Sequence, residues 1–124
     1  MTTPDHLKYS PDHSWVRLEG NVATVGITDY YQGELGDVEF VELPDMGDLE
    51  CNSPCVVIET GNDKVDVYTP VAGEITEINL DLVTDPAKVN TDPYDTGWIY
   101  KMKVDDKSQI ERLLDSSSYV QTIR

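Results

Sequence analysis

The sequence predicts a mainly β chain, a sandwich or flattened barrel with short peripheral and C-terminal helices. Three observations carry that reading. Short runs of alternating apolar and polar residues recur along the chain, separated by Gly, Pro, Asn and Asp. The dipeptide Gly-Asn stands twice between such runs, at Gly20-Asn21 and Gly61-Asn62, where a tight turn would fold one strand back on the next. Helical spacing with a capping residue is clearest near the C-terminus, over Ser108–Leu114. At 124 residues the chain is read as one domain, 1–124, large enough to build a core without disulfide or metal staples.

Residues 1–12 read as an extended arm punctuated by Pro4 and Pro11. Trp15, Arg17 and Glu19 alternate with Val16 and Leu18, and Val22–Ile27 is the return strand after Gly20-Asn21. Thr28-Asp29 is a helix start, because a Thr side chain can accept from free backbone N–H groups and an acid suits the first turn. That helix would run to Leu35 and end at Gly36. A strand follows in which Val38 and Phe40 share one face and Glu39 and Val41 the other. Pro44–Asp48 is a turn and Leu49–Cys51 a short strand.

Val56–Gly73 organises the chain. With a type II′ turn at Gly61-Asn62, Gly61 would take positive φ. Thr60 then faces Asp63, Glu59 faces Lys64, Ile58 faces Val65, Val57 faces Asp66 and Val56 faces Val67. Ile58, Val65, Val56 and Val67 fall on one face, as a period of two demands. Glu59 and Lys64 fall on the other as a pair of opposite charge. The two Gly-Asn hairpins suggest two related sheets. Beyond them lie a strand over Glu74–Leu80 and one helical turn over Asp85–Val89 with Pro86 first. A strand over Trp98–Val104 has Trp98, Tyr100, Met102 and Val104 on one face. The helix over Ser108–Leu114 is capped by its Ser, and a second starts near Asp115–Tyr119.

The formal net charge is −15, from 24 acidic and 9 basic residues. Such a surface repels nucleic acid and anionic membrane and steers toward basic partners; a saline or alkaline habitat is the other explanation. No run approaches the roughly 18 apolar residues of a membrane span, and the N-terminus has neither a basic nor an apolar leader region. The expectation is a cytoplasmic monomer. Cys51 and Cys55 are too few for a disulfide framework, and CNSPC is not a CxxC motif. Both are read as structural thiols, with a redox role as the sharper alternative; no metal site is expected. Phosphate-loop, GxSxG, HExxH and EF-hand patterns are missing, so no catalytic residue is expected and the chain is not read as an enzyme.

Several blocks resemble a known family. HSWV, VGITDY, LGDVEFVELP, DVYTPVAGEI and DPYDTGW resemble the H protein of the glycine cleavage system, and the likeness runs from about Tyr9 to Tyr119. The resemblance implies a lipoyl-domain fold, a flattened barrel of two sheets, and a carrier. In that family a hairpin-tip lysine holds lipoate in amide linkage. The arm takes an aminomethyl group from glycine decarboxylase to an aminomethyltransferase, and dihydrolipoyl dehydrogenase reoxidises it. A lipoate ligase or lipoyl transferase installs it. The family lysine lies three residues after the position of Glu59 and eight before that of Pro70, which here is Asn62. Lys64 is the fallback acceptor, and otherwise a solvated strand lysine. Under the carrier reading Gly61 shapes the tip, and Glu59 and Asp63 are its acidic recognition neighbours. The alternatives are a lipoate-binding relative serving a heterodisulfide-reductase-like complex in sulfur oxidation, where Cys51 and Cys55 gain interest, or an interaction module without an arm.

Overall fold

The computed structural model describes residues 3–123. In chain order its elements are β1 (Lys8–Tyr9), β2 (Ser14–Glu19), β3 (Val22–Ile27), α1 (Asp29–Leu35), β4 (Val38–Glu42), β5 (Gly47–Leu49), β6 (Pro54–Thr60) and β7 (Lys64–Tyr68). β8 (Gly73–Ile78), α2 (Asp81–Thr84), α3 (Lys88–Thr91), β9 (Tyr100–Val104), α4 (Ser108–Glu111) and α5 (Ser116–Thr122) complete it. The strands form two sheets, a six-stranded one in the order β1-β2-β3-β9-β8-β5 and a three-stranded one in the order β4-β6-β7. The expected mainly β fold of two sheets with short helices is what the chain adopts, and each Gly-Asn hairpin belongs to a different sheet.

Alternation explains how the sheets meet. Val16, Val25, Ile75 and Met102 from the large sheet and Val41, Val56, Ile58 and Val67 from the small one are buried in one shared core. The residues between them in sequence point the other way. Trp15 therefore joins a second, smaller cluster with Leu7, Tyr9 and Tyr119, closed by α5 and by Tyr94 and Trp98. The indole N–H of Trp15 donates to the Pro93 carbonyl at 2.9 Å. Gly26 is its register partner, and a Cβ there would lie 2.7 Å from the indole ring, so only glycine leaves room.

Tyr100 points into the shared core. It is fully buried, and its hydroxyl, beside Thr69 and Cys55, makes no hydrogen bond of good geometry among the described residues. Tyr100→Phe should be neutral or stabilising by up to about 1 kcal/mol, because an unpaired buried hydroxyl costs its desolvation and returns nothing. Denaturant unfolding of both proteins checks this; a clear loss would mean the hydroxyl is satisfied in solution.

Several expected elements shift. The N-terminal arm is docked: Lys8 pairs with Val16 and Tyr9 with Trp15, while residues 1–2 lie outside the described residues. Phe40 does not share the buried face with Val38. A bulge between Val38 and Phe40 turns the strand, burying Val41 and leaving Phe40 46% exposed. The strand expected at Leu49–Cys51 lies earlier, at Gly47–Leu49, and Cys51 sits in the following turn. The turn at Asp85-Pro86 runs on into α3, and α2 precedes it. The last long strand begins at Tyr100, not at Trp98. α4 is not capped by Ser108; Asp106 Oδ1 accepts from the Ser108 N–H at 2.9 Å. Thr28 does cap α1, accepting from the Tyr31 N–H at 3.2 Å, and Gly36 ends it at φ 83°.

Candidate functional site at the hairpin tip

β6 and β7 pair in the predicted register: Glu59 with Lys64, Ile58 with Val65, Val57 with Asp66 and Val56 with Val67. Val56, Ile58 and Val67 are buried, which pins the register, since a one-residue slip would turn them to solvent. Pro70 and Thr69 anchor the base, where the buried Thr69 hydroxyl donates to the Val71 carbonyl at 2.7 Å.

The tip is Thr60–Asp63. The Thr60 N–H donates to the Asp63 carbonyl at 2.8 Å, and the Asp63 N–H donates to Thr60 Oγ1 at 3.1 Å. The Thr60 side chain thus takes the N–H that its own carbonyl takes in a regular two-residue turn. Gly61 accordingly does not adopt the positive φ of a type II′ turn. That conformation is found instead at Gly20, φ 63°, in the first hairpin. Gly61, Asn62, Asp63 and Lys64 are all exposed.

The tip is acidic. Glu59 and Asp63 lie on the hairpin, and the bulged strand β4 adds Glu39, whose Oε1 lies 3.9 Å from where a Cβ on Gly61 would be. Sequence alternation did not bring Glu39 to the tip, because the bulge that aims it leaves no mark in the pattern. Lys64 sits opposite Glu59 in the ladder, but the expected pair is not closed: neither is in an ion pair within 4 Å among the described residues. Lys64 is therefore a solvated amine on the outward face of β7.

Cys51 and Cys55 are both free thiols. Cys51 is exposed and donates to the Pro70 carbonyl at 3.3 Å. Cys55 is half-buried, and burial pushes its pKa up to about 11, so little thiolate is present near neutrality. Among the described residues no group of three His, Cys, Asp or Glu is placed to hold a metal, and no helix is long and apolar enough to cross a membrane.

A further polar cluster was missed from the sequence. His13, at φ 73°, places Nδ1 2.9 Å from the Tyr119 hydroxyl, which lies 2.7 Å from Thr28 Oγ1. This joins the β1–β2 loop, the cap of α1 and helix α5. The three residues are far apart in sequence, and no local signal links them.

The comparisons with known proteins agree with this architecture. A family model described as glycine cleavage H-protein matches residues 7–124. The glycine cleavage system H protein of Alteromonas mediterranea is 47% identical over 122 residues, covering 97% of this chain and 95% of that protein. That of Staphylococcus carnosus is 43% identical over 124 residues, covering 99% and 98%. The crystal structure of a glycine cleavage system H protein from Mycobacterium marinum superposes with a TM-score of 0.88 at 32% identity, covering 97% of this chain and 98% of that one. On this sequence match and on the two-sheet fold with its displayed hairpin, the chain belongs to the glycine cleavage H-protein family.

Proposed function

We propose that this chain serves as an H-protein scaffold of glycine cleavage, presenting the β6–β7 tip to glycine decarboxylase, the aminomethyltransferase and dihydrolipoyl dehydrogenase. The observation that carries the reading is the hairpin: a tip held by a pinned register on a fold matched from end to end by H proteins. A rigid scaffold with an exposed tip suits a module that visits successive active sites, because docking replaces diffusion by a high local concentration. Glu39, Glu59 and Asp63 around the tip, with a net charge of −15, favour partner surfaces that are basic. The sulfur-oxidation alternative draws on thiols at Cys51 and Cys55, and the high pKa of Cys55 does not favour it.

Binding to the purified aminomethyltransferase tests the proposal. The expected result is saturable binding that weakens roughly tenfold as salt rises from low to well above physiological strength, because screening removes the rim attraction. Glu59→Lys with Asp63→Lys should weaken it further at low salt. Absence of binding to all three enzymes, or binding indifferent to salt and to both substitutions, would overturn the reading.

A further inference from the structure

The family's carrier chemistry needs an amine at the tip, and this tip does not supply one. The residue there is Asn62, exposed between Gly61 and Asp63. A carboxamide nitrogen shares its lone pair with its own carbonyl, so it is not an acyl acceptor. The residues present therefore do not fit a covalent lipoyl group at this position.

We propose that the chain is an armless H protein, which occupies the carrier-docking sites of its partner enzymes without delivering a lipoyl-bound group. The proposal rests on the scaffold reading above. Its consequence is regulatory: an armless copy competes with lipoylated H proteins for the same sites.

Two features keep Lys64 from taking over the tip. It is the first residue of β7, in register with Glu59. Moving it to the apex requires a slip of two residues along each strand, after which Ile58 would face Thr69 in place of Val65. That breaks the Thr60 N–H to Asp63 bond at 2.8 Å, the Asp63 N–H to Thr60 Oγ1 bond at 3.1 Å and the buried Thr69 turn at 2.7 Å. The slip loses buried contacts and returns only an exposed loop. Nor is the tip collapsed: apart from Glu39, nothing lies within 4 Å of a Cβ built on Gly61. The apex is open and shaped for display, with the wrong functional group.

The experiment has three parts on the full chain. The protein is made beside an active lipoate ligase with lipoate supplied, and intact mass and peptide mapping over 56–73 are recorded. Asn62→Lys is treated alike, with a thermal melt to confirm that this exposed substitution leaves the fold intact. The unmodified chain is then added to a glycine cleavage assay run with a lipoylated H protein. The expected results are no adduct on the unsubstituted chain and one lipoyl adduct, at the substituted position, on the Asn62→Lys variant. Turnover should fall about twofold when chain and lipoylated carrier are equimolar, saturating and equal in affinity, as mass action requires. A lipoyl adduct on Lys64 of the unsubstituted chain would overturn the proposal. So would an Asn62→Lys variant that folds but stays unmodified, or a chain that binds the enzymes yet leaves turnover unchanged. Failure to bind at all would instead sink the scaffold reading, and the separate binding measurement tells the two apart.

Discussion

Trp15→Ala is expected to cost about 4 kcal/mol and to lower the melting temperature by roughly 15 °C. Trp15 is fully buried at the centre of the cluster on the outer face of the six-stranded sheet. Truncating it removes the ring that packs over Gly26 and beside Tyr94, whose centroid lies 6.0 Å away. It also strips the Pro93 carbonyl of the indole donor at 2.9 Å, leaving a buried acceptor unpaired. Gly26 does not refill the space, since it has no side chain. Trp15→Phe should lose less, keeping most of the apolar contact but not the hydrogen bond. Denaturant unfolding gives both numbers, and a cost below about 1 kcal/mol for the Ala variant would mean that the outer cluster contributes little to holding the fold. The hairpin draws its packing from the other core, so at temperatures where Trp15→Ala stays folded its tip should bind partners as in the parent.

Acid should loosen helix α5 before it unfolds the barrel. The bond order around Tyr119 has a direction. Thr28 Oγ1 accepts from the Tyr31 N–H, so its own hydrogen is available to the Tyr119 oxygen, and the Tyr119 hydroxyl can then donate to His13 Nδ1. That chain is complete only with His13 neutral and its proton on Nε2. A proton on Nδ1 reverses the chain and leaves the buried Thr28 hydroxyl hydrogen without its acceptor. Burial lowers the His13 pKa below its usual 6.5, while Asp12 and Glu34 pull it partly back; Tyr30, Tyr31 and Tyr119 are the other rings around it. Because the folded value is the lower one, the unfolded chain takes up the proton first. The contribution is whole above about 6.5 and is lost as pH falls from there through the folded pKa. Amide exchange in α5, corrected for its intrinsic pH dependence, should therefore be faster at pH 5 than at pH 7. Tyr119→Phe removes the donor to Nδ1 while leaving His13 buried, so the protection of α5 in that variant should lose most of its difference between the two pH values. Equal protection of α5 at the two pH values, or an Nδ1–H tautomer by nitrogen NMR at neutral pH, would refute this. Asp115, which caps α5 by accepting from the Ser118 N–H at 2.8 Å, has its pKa lowered by that bond, so a second loosening is expected only below the usual carboxylate range.

What could be read from the sequence was what is local or periodic. Ile58, Val65, Val56 and Val67 announce the hairpin register because every second residue must be apolar, and the structure keeps that register. Thr28, Asp29 and Gly36 announce α1 because capping is a property of a few neighbouring residues. What could not be read depends on exchange between elements or on side-chain competition for the backbone. Gly61-Asn62 and Gly20-Asn21 are the same dipeptide, yet only Gly20 takes positive φ; the Thr60 hydroxyl, which captures an N–H across the turn, makes the difference. The bulge that exposes Phe40 breaks a period that the residues themselves continue. The outer aromatic cluster gathers Tyr9, Trp15 and Tyr119 from opposite ends of the chain, and only the closed sheet shows that they meet. At the candidate site the spacing from Glu59 to Pro70 singled out Asn62 only through the family resemblance, whereas Glu39, beside Gly61, came from across the sheet.

The three-stranded sheet that carries the tip has β4 and β7 as its edge strands, and the Val38 N–H at the start of β4 is already taken by Asn90 Oδ1 at 2.8 Å. Such edges beside a displayed loop are an invitation to strand addition and fibre growth. Here β4 is broken by its bulge between Val38 and Phe40, and β7 is five residues long with Lys64 and Asp66 exposed along it. A neighbouring strand would find an irregular hydrogen-bonding row on one side and a short, charged one on the other. The tip can thus be offered to other proteins at high concentration while its own sheet remains a poor template for self-association.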